Sequence, residues 1–293
     1  MPPATDCEPL EPIPEHDVED AARSPDGPGE RAPIIPTVIT YRHVHLGPEQ
    51  DPPRPRYGEV IYPAKGRFLT RGGTGILELL PSGAVLKTPT PNPFDPREEE
   101  DHRRDLRLEA QVYQRLGGLH NASIPRLLDW DPETCCLMLE YLPNGNLRDY
   151  MRESQRAEEA ITPGLRIRWA MGCGNFLLDA ALNLKISDFG GVSLGGSVPS
   201  AFAATRYRRP GLKWDSPPQF EDDVFALGSL VYFIMTDKYP YEDVPSEEVE
   251  ARYGRRDFPD VSRIRCGDII RRCWDGEVDV AKVCEYFCRQ LDP

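Results

Sequence analysis

The sequence is poor in basic residues relative to acidic ones, with 35 Lys and Arg against 48 Asp and Glu and a formal net charge of −13. Neutralising a phosphate backbone needs clustered cations, so this balance argues against a nucleic-acid partner. Long apolar runs are also missing: the longest covers residues 224–235, about a dozen positions where a bilayer span needs roughly 20. The first residues run through Pro2, Pro3, Asp6 and Glu8 without an apolar stretch, so no signal peptide is expected. Cys7, Cys135, Cys136, Cys173, Cys266, Cys273, Cys284 and Cys288 show no C-x-x-C pair and no companion histidines, which leaves no zinc pattern. Cys284 and Cys288, four apart on an expected helix, read as buried free thiols. These absences predict a soluble, cytoplasmic chain with no membrane partner, the nucleus being left open. The length allows one two-lobed domain with a tail, or two modest domains.

What is present is uneven along the chain. Residues 1–56 are dense in Pro, Glu, Asp and Gly, about one in four being proline, a composition that buries too little apolar surface to offset chain entropy. They are predicted to form a disordered tail that a protease clips first. Ile34, Ile35, Val38, Ile39 and Val44 interrupt it as a docking patch or a short strand. From Glu59 the texture is β-like: residues 75–80, a turn at Pro81-Ser82-Gly83, then 84–87 read as a hairpin. Residues 103–116 carry Leu106, Val112, Tyr113 and Leu116 at helical spacing and include Glu109. Strand-like runs follow at 126–130 and 136–140.

After Tyr141-Leu142-Pro143-Asn144-Gly145 the pattern turns helical, at 146–156, from Thr162-Pro163, and at 222–236, 268–274 and 280–291. Thr162 is a natural N-cap with Pro163 at the first helical position, where its missing N–H costs nothing. The reading is α+β, with a sheet and one helix at 57–142 and a mainly helical part at 143–293.

Chemistry can be sought within that frame. Arg71-Gly72-Gly73-Thr74-Gly75 lies between strands, and glycine lets backbone approach a phosphate because it lacks the Cβ that would collide. Taken alone it is an ordinary turn. Lys87 closes the second hairpin strand, and Glu109 stands mid-helix about twenty residues on, able to pair with it or to remain a surface residue. Asp188-Phe189-Gly190 puts a carboxylate at a strand end, with Asn175 thirteen residues earlier.

The order of these parts resembles a protein kinase: the glycine turn, Lys87, Glu109, an apolar hinge at Glu140-Tyr141-Leu142, Asn175, Asp188-Phe189-Gly190 and Asp223-Val224-Phe225-Ala226-Leu227-Gly228. Phrases such as Asn175-Phe176-Leu177-Leu178-Asp179 are similar to a divergent group of small fungal kinase-like proteins. The resemblance spans about residues 60–290. It implies the two-lobed kinase fold, with a small β-rich N-lobe holding one helix and a larger helical C-lobe. It implies ATP and Mg²⁺ as cofactors, with protein Ser/Thr as acceptor. By motif, Gly72, Gly73 and Gly75 would cover the phosphates and Lys87 would contact them. Glu109 would orient Lys87, Glu140 and Leu142 would belong to the nucleotide hinge, and Asn175 and Asp188 would hold the metal. Asp223 would brace the catalytic loop, and Arg272 is similar to a structural arginine whose glutamate partner is put in doubt by Arg208-Arg209-Pro210.

One part is missing. The family carries His-x-Asp just upstream of this asparagine, and its Asp accepts the proton of the acceptor hydroxyl. Here Leu165-Arg166-Ile167-Arg168-Trp169-Ala170 runs directly into Met171-Gly172-Cys173-Gly174-Asn175. No catalytic base is identified, and Asn175 is the remnant of the catalytic loop. Asp149 follows the hinge in a rim helix and Asp179 sits at a turn, so neither reads as a substitute. Intact motifs on both sides of the junction suggest a removed block of about twenty residues, ~30 Å of helix. A skipped exon or a gene-model error would give this pattern, leaving a truncated C-lobe. Losing about five large apolar side chains would cost roughly 8–15 kcal/mol. Three readings stand: an active kinase whose full product includes the block, a pseudokinase serving as an interaction scaffold, and a truncated product without function.

Overall fold

A computed structural model of the chain describes residues 36–47, 50–117, 121–157, 161–169, 175–195, 199–200, 203–213 and 217–291. The first ordered feature lies within the segment whose composition predicts a tail. Strand β1 (Thr40–Val44) pairs in parallel with β2 (Glu59–Pro63), from Thr40 opposite Glu59 to Val44 opposite Pro63. The sequence offered a docking patch or a short strand among these prolines, and a strand forms at Thr40–Val44; its alternating half-buried residues are what let it pack. The rest of the predicted tail, 1–35, lies outside the described residues.

β2 is fastened to the main sheet by a buried carboxylate. The Tyr62 hydroxyl donates to Glu78 at 2.9 Å, and the Lys65 and Gly66 amides donate to the other oxygen at 3.0 and 3.2 Å. Strands β3 (Arg67–Arg71), β4 (Gly75–Leu79), β5 (Ala84–Pro89), β6 (Leu127–Asp131) and β7 (Cys136–Glu140) form one antiparallel sheet in the order β3-β4-β5-β7-β6. The predicted turn closes β4 onto β5 with Gly83 at φ +85°, a conformation that favours glycine.

Helix α1 (Pro96–Gly117) begins seven residues before the predicted 103. Its apolar periodicity starts only at Leu106, but Asp95 caps it, accepting from the Arg97 and Glu98 amides at 3.0 and 3.3 Å, and Pro96 takes the first position. Glu98 and Glu99 then suit the positive end of the helix dipole. Leu106, Ala110 and Tyr113 bury against Val85, Leu137 and Leu139 of the sheet, giving the first core.

The second core is helical. Asn146 caps α2 (Leu147–Arg156), and Thr162 caps α3 (Pro163–Trp169) by accepting from the Leu165 amide at 3.2 Å, as expected from its sequence position. A hairpin of β8 (Asn175–Leu178) and β9 (Leu184–Ser187) follows, then a 3₁₀ turn at Thr205–Tyr207. Helices α4 (Phe220–Thr236), α5 (Ser246–Gly254), α6 (Gly267–Asp275) and α7 (Val280–Leu291) complete the described chain; the sequence reading missed α5.

α4 is the axis of this half, packed along α6. A Cβ on Gly228 would lie 2.7 Å from Cys273 Cβ, so the helices approach through glycine. The Trp274 indole donates to Ser229 at 3.0 Å beside that crossing. The Arg166 guanidinium ties α3 to the end of α4, meeting both Asp237 oxygens at 2.8 Å and the Ile234 carbonyl. The junction between Ala170 and Met171 lies outside the described residues. Cys284 and Cys288 correct the sequence reading: α7 packs through Val283 and Phe287, leaving both thiols exposed, whereas Cys135, Cys136, Cys266 and Cys273 are buried. Among the described residues no helix is long and apolar enough to cross a membrane.

Candidate functional site

Lys87 sits on the central strand β5, opposite Leu77 on β4 and Leu137 on β7. Its aliphatic stem is packed on both sides, which aims the ammonium at α1. There Nζ lies 2.7 Å from Glu109 Oε2, in an ion pair almost closed to solvent. The same Nζ lies 2.7 Å from Asp188 Oδ1, whose side chain is half exposed. Burial alone would lower the Lys87 pKa, but the two carboxylates outweigh it and hold it above its usual value, so the ammonium keeps its proton. Burial pushes Glu109 upward against the pull of Lys87.

Asp188 takes φ +63°, a left-handed backbone that costs a non-glycine residue energy and is held here by its neighbours. Phe189 packs edge to face on Tyr113, with ring centres 5.1 Å apart. Asn175 stands opposite Ser187 in the β8–β9 register, one position before Asp188; its side chain lies outside the description.

The glycine turn closes over this cluster. The Gly72 amide donates to Gly75 O at 2.8 Å, and Thr90 N donates to Thr74 O at 3.0 Å. A Cβ on Gly75 would stand 3.1 Å from Thr88 O and 3.2 Å from Lys87 Cγ, so the strand lies close against the lysine stem. A Cβ on Gly190 would meet Asp188 Oδ1 at 3.5 Å and Thr74 Oγ1 at 3.6 Å, which places turn and aspartate on either side of one small space. At Gly73 a Cβ would meet nothing within 4 Å, so the tip is open.

The hinge residues divide. Leu142 is buried, and its carbonyl accepts from Gly145 N at 3.2 Å. The Glu140 carboxylate is engaged by Lys185 at 2.9 Å and Arg126 at 3.2 Å; despite partial burial, these cations hold its pKa below the usual value. Lys185 also donates to the Ala122 and Ile124 carbonyls at 3.2 and 3.3 Å. The sequence reading did not anticipate this lysine, although its alternation with Ile186 on β9 was available.

Carboxylates near the cleft are engaged locally. Asp149 takes a hydrogen bond from Asn146 Nδ2 at 2.5 Å. Asp179 accepts from the Ala181 and Asn183 amides, each at 2.9 Å, and from Asn183 Nδ2 at 3.0 Å; burial pushes its pKa up, but these hydrogen bonds together outweigh it and hold it below the usual value. Asp222 caps α4 by accepting from Gln219 N at 3.0 Å and pairs with Arg209 at 2.6 Å. Asp223 is exposed, with no hydrogen bond to its carboxylate among the described residues, and the loop it was expected to brace lies partly outside them.

Arg272 is exposed and without an ion pair among the described residues. The linking work falls to Arg206, which the sequence reading missed: its guanidinium donates to the carbonyls of Tyr241, Glu242 and Val244 at 3.1, 3.3 and 2.5 Å. Ser200 donates to Asp105 on α1 at 3.0 Å, joining the segment after Asp188 to the helix that carries Glu109. No cluster of three or more His, Cys, Asp or Glu able to hold a metal is found among the described residues.

No family model matches the chain. It is similar to a serine/threonine/tyrosine-protein kinase of Arabidopsis thaliana, 22% identical over 204 residues, 59% of this chain and 52% of that protein. It is also similar to mitogen-activated protein kinase kinase kinase 12 of Rattus norvegicus, 24% identical over 166 residues, 48% of this chain and 18% of the relative. A probable receptor-like protein kinase of Arabidopsis thaliana is 25% identical over 173 residues, 47% of this chain and 34% of the relative. The chain thus spans between about a fifth and a half of these relatives' lengths. At this low identity the similarities suggest the protein kinase superfamily, and the fold is α+β and kinase-like: a β-rich sheet part followed by a helical part.

Proposed function

We propose that the chain is a protein-kinase-like domain that binds ATP with Mg²⁺ and, with this sequence, transfers phosphate at background rate. The observation that carries the reading is the Lys87 ammonium held 2.7 Å from both Glu109 and Asp188, residues brought together from β5, α1 and the segment after β9. A buried lysine that keeps its charge suits α- and β-phosphate oxygens, and Glu109 fixes its direction. Half-exposed Asp188 meets Lys87 through Oδ1, so its Oδ2 would take a cation, and Asn175 stands opposite the preceding Ser187 across the hairpin. The small donor set fits Mg²⁺, which commonly binds through one or two protein groups together with substrate phosphates. When bound, the metal would neutralise phosphate charge. Gly72, Gly73 and Gly75 would cover the phosphates, and Leu142 with the main chain of Glu140 would border the base.

The lobes are taken as 57–142 and 143–293, with a cytoplasmic location and a protein Ser/Thr hydroxyl as the family-level acceptor. No residue is assigned as base, since Asp149, Asp179 and Asp222 hold local structure. The test is a thermal-shift titration with and without Mg²⁺, beside a radiolabel transfer assay. A nucleotide shift without transfer is expected. Lys87→Ala should remove the nucleotide-dependent part, Asp188→Asn the metal-dependent part, and Asp149→Asn neither. Robust transfer abolished by Asp149→Asn would show a substitute base and overturn the inactivity. No shift with any nucleotide would favour a non-functional truncation. Binding without transfer would leave the scaffold role as the working function.

A further inference from the structure

We propose that Tyr41 is a positioning residue that clamps the glycine-rich turn to the start of α1, making strand β1 a part of the nucleotide site; this rests on the nucleotide-binding reading above. The Arg71 guanidinium lies over the Tyr41 ring, 4.3 Å from its centre. The Tyr41 hydroxyl donates to the Pro91 carbonyl at 2.9 Å. Arg71 is the last residue of β3, directly before Gly72. Pro91 directly precedes Asn92, which organises the entry to α1: its side-chain oxygen accepts from the Phe94 and Asp95 amides at 3.1 and 3.0 Å, and its amide donates to Glu99 at 3.0 Å. One aromatic side chain therefore touches the stem of the phosphate-covering turn with its face and the root of the Glu109 helix with its hydroxyl.

Two further observations give the clamp its purpose. The tip at Gly73 has open space around it, so the position of the turn is set at its stem. β1 itself is held independently of Tyr41, by the Thr40 amide on Gly58 O at 2.9 Å, the Arg42–Glu59 pair at 2.8 Å, and the His43 ring against Tyr62 and Phe68 at 5.0 and 4.5 Å. The strand is a fixed post from which Tyr41 reaches forward. Moving Lys87's partner helix and the phosphate cover as one unit is the effect on the site.

The experiment measures backbone hydrogen exchange in the full chain, with calorimetric binding of Mg-ATP and of adenosine. Tyr41→Ala should speed exchange at both 71–75 and 92–99. Tyr41→Phe, which keeps the ring, should do so only at 92–99, and Arg71→Met only at 71–75. Mg-ATP should bind about fivefold more weakly to Tyr41→Ala, the size of one exposed cation–π contact, while adenosine, lacking phosphates, changes less than twofold. Unchanged exchange in both segments, acceleration spread over the whole chain, or equal weakening of ATP and adenosine would each overturn the clamp. Should the unaltered chain bind no nucleotide, the nucleotide-binding reading fails by itself, and the exchange pattern still decides whether Tyr41 couples the two segments.

Discussion

Two regions of the molecule use the same kinds of residue to different ends. At the proposed nucleotide site, opposite charges from distant parts of the chain converge: Lys87, Glu109 and Asp188 meet although 22 and 101 residues separate the lysine from its partners. In the helical half and its hairpin the carboxylates turn to near neighbours in the chain, Asp149 at the start of α2, Asp179 in the β8–β9 turn and Asp222 in the cap of α4. Long-range pairing in a buried place is costly to hold unless something is gained from the charge, whereas caps and turns are ordinary local structure. The difference separates a charge cluster assembled across the fold from ordinary capping and turn structure.

The comparison can be broken most forcefully at Lys87. Lys87→Ala leaves Glu109 buried without its cation and should cost about 3–5 kcal/mol in chemical denaturation. A Lys87→Met, Glu109→Leu double variant should recover most of that stability while binding no nucleotide, separating charge kept for binding from charge kept for folding. Ser200→Glu comes next: it replaces the Ser200–Asp105 hydrogen bond with like charges and should lower stability by roughly 2 kcal/mol. Phosphorylation between residues 191 and 205 should not activate the chain, because kinases pair such a phosphate with the arginine of His-Arg-Asp and no such arginine stands in this sequence; a transferase assay on phosphorylated chain checks this.

Away from Lys87 the effects should shrink. Asn146→Ala removes the α2 cap and should cost about 1 kcal/mol, with no change in ATP affinity by calorimetry. The smallest effect concerns pH. Lys185 and Arg126 depress Glu140 below its ordinary 4.5, so its contribution is present above that value and is lost as pH falls through the folded pKa. Stability should fall as the pH drops below 4.5, and Lys185→Met should flatten that part of the profile.

Much of this was legible in the sequence where one physical cause acts alone. The β4–β5 hairpin, β7, α2, α3 and α7 follow from turn residues, caps and periodicity, and Lys87, Glu109 and Asp188 were singled out before their meeting was visible. What was hidden depends on partners far along the chain. β1 was legible only as one of two alternatives, a short strand or a docking patch within a proline-rich tail, and Tyr41 reads as one aromatic in that tail until Arg71 and Pro91 are beside it. Arg206 gives no sign in sequence because its partners are backbone carbonyls. The start of α1 was misplaced because charge and capping, and not apolar spacing, begin that helix. The exposed thiols of α7 show the converse: four-residue spacing marks a shared helix face without saying which face is covered.

The β8–β9 hairpin has a consequence for movement. Lys185 reaches the Ala122 and Ile124 carbonyls, and the Ile186 amide donates to Ser123 O at 2.7 Å, so β9 is moored to the chain that leads into β6. The hairpin is tied to the helical half as well: Leu178 is buried in the helical core with Leu182 and Leu184 packed against it, the Leu178 amide donates to Gly145 O at 2.9 Å and the Trp169 indole to Leu182 O at 3.0 Å. β8–β9 is therefore a strap between the two cores, and any swing of one against the other would load the strand that leads directly into Asp188.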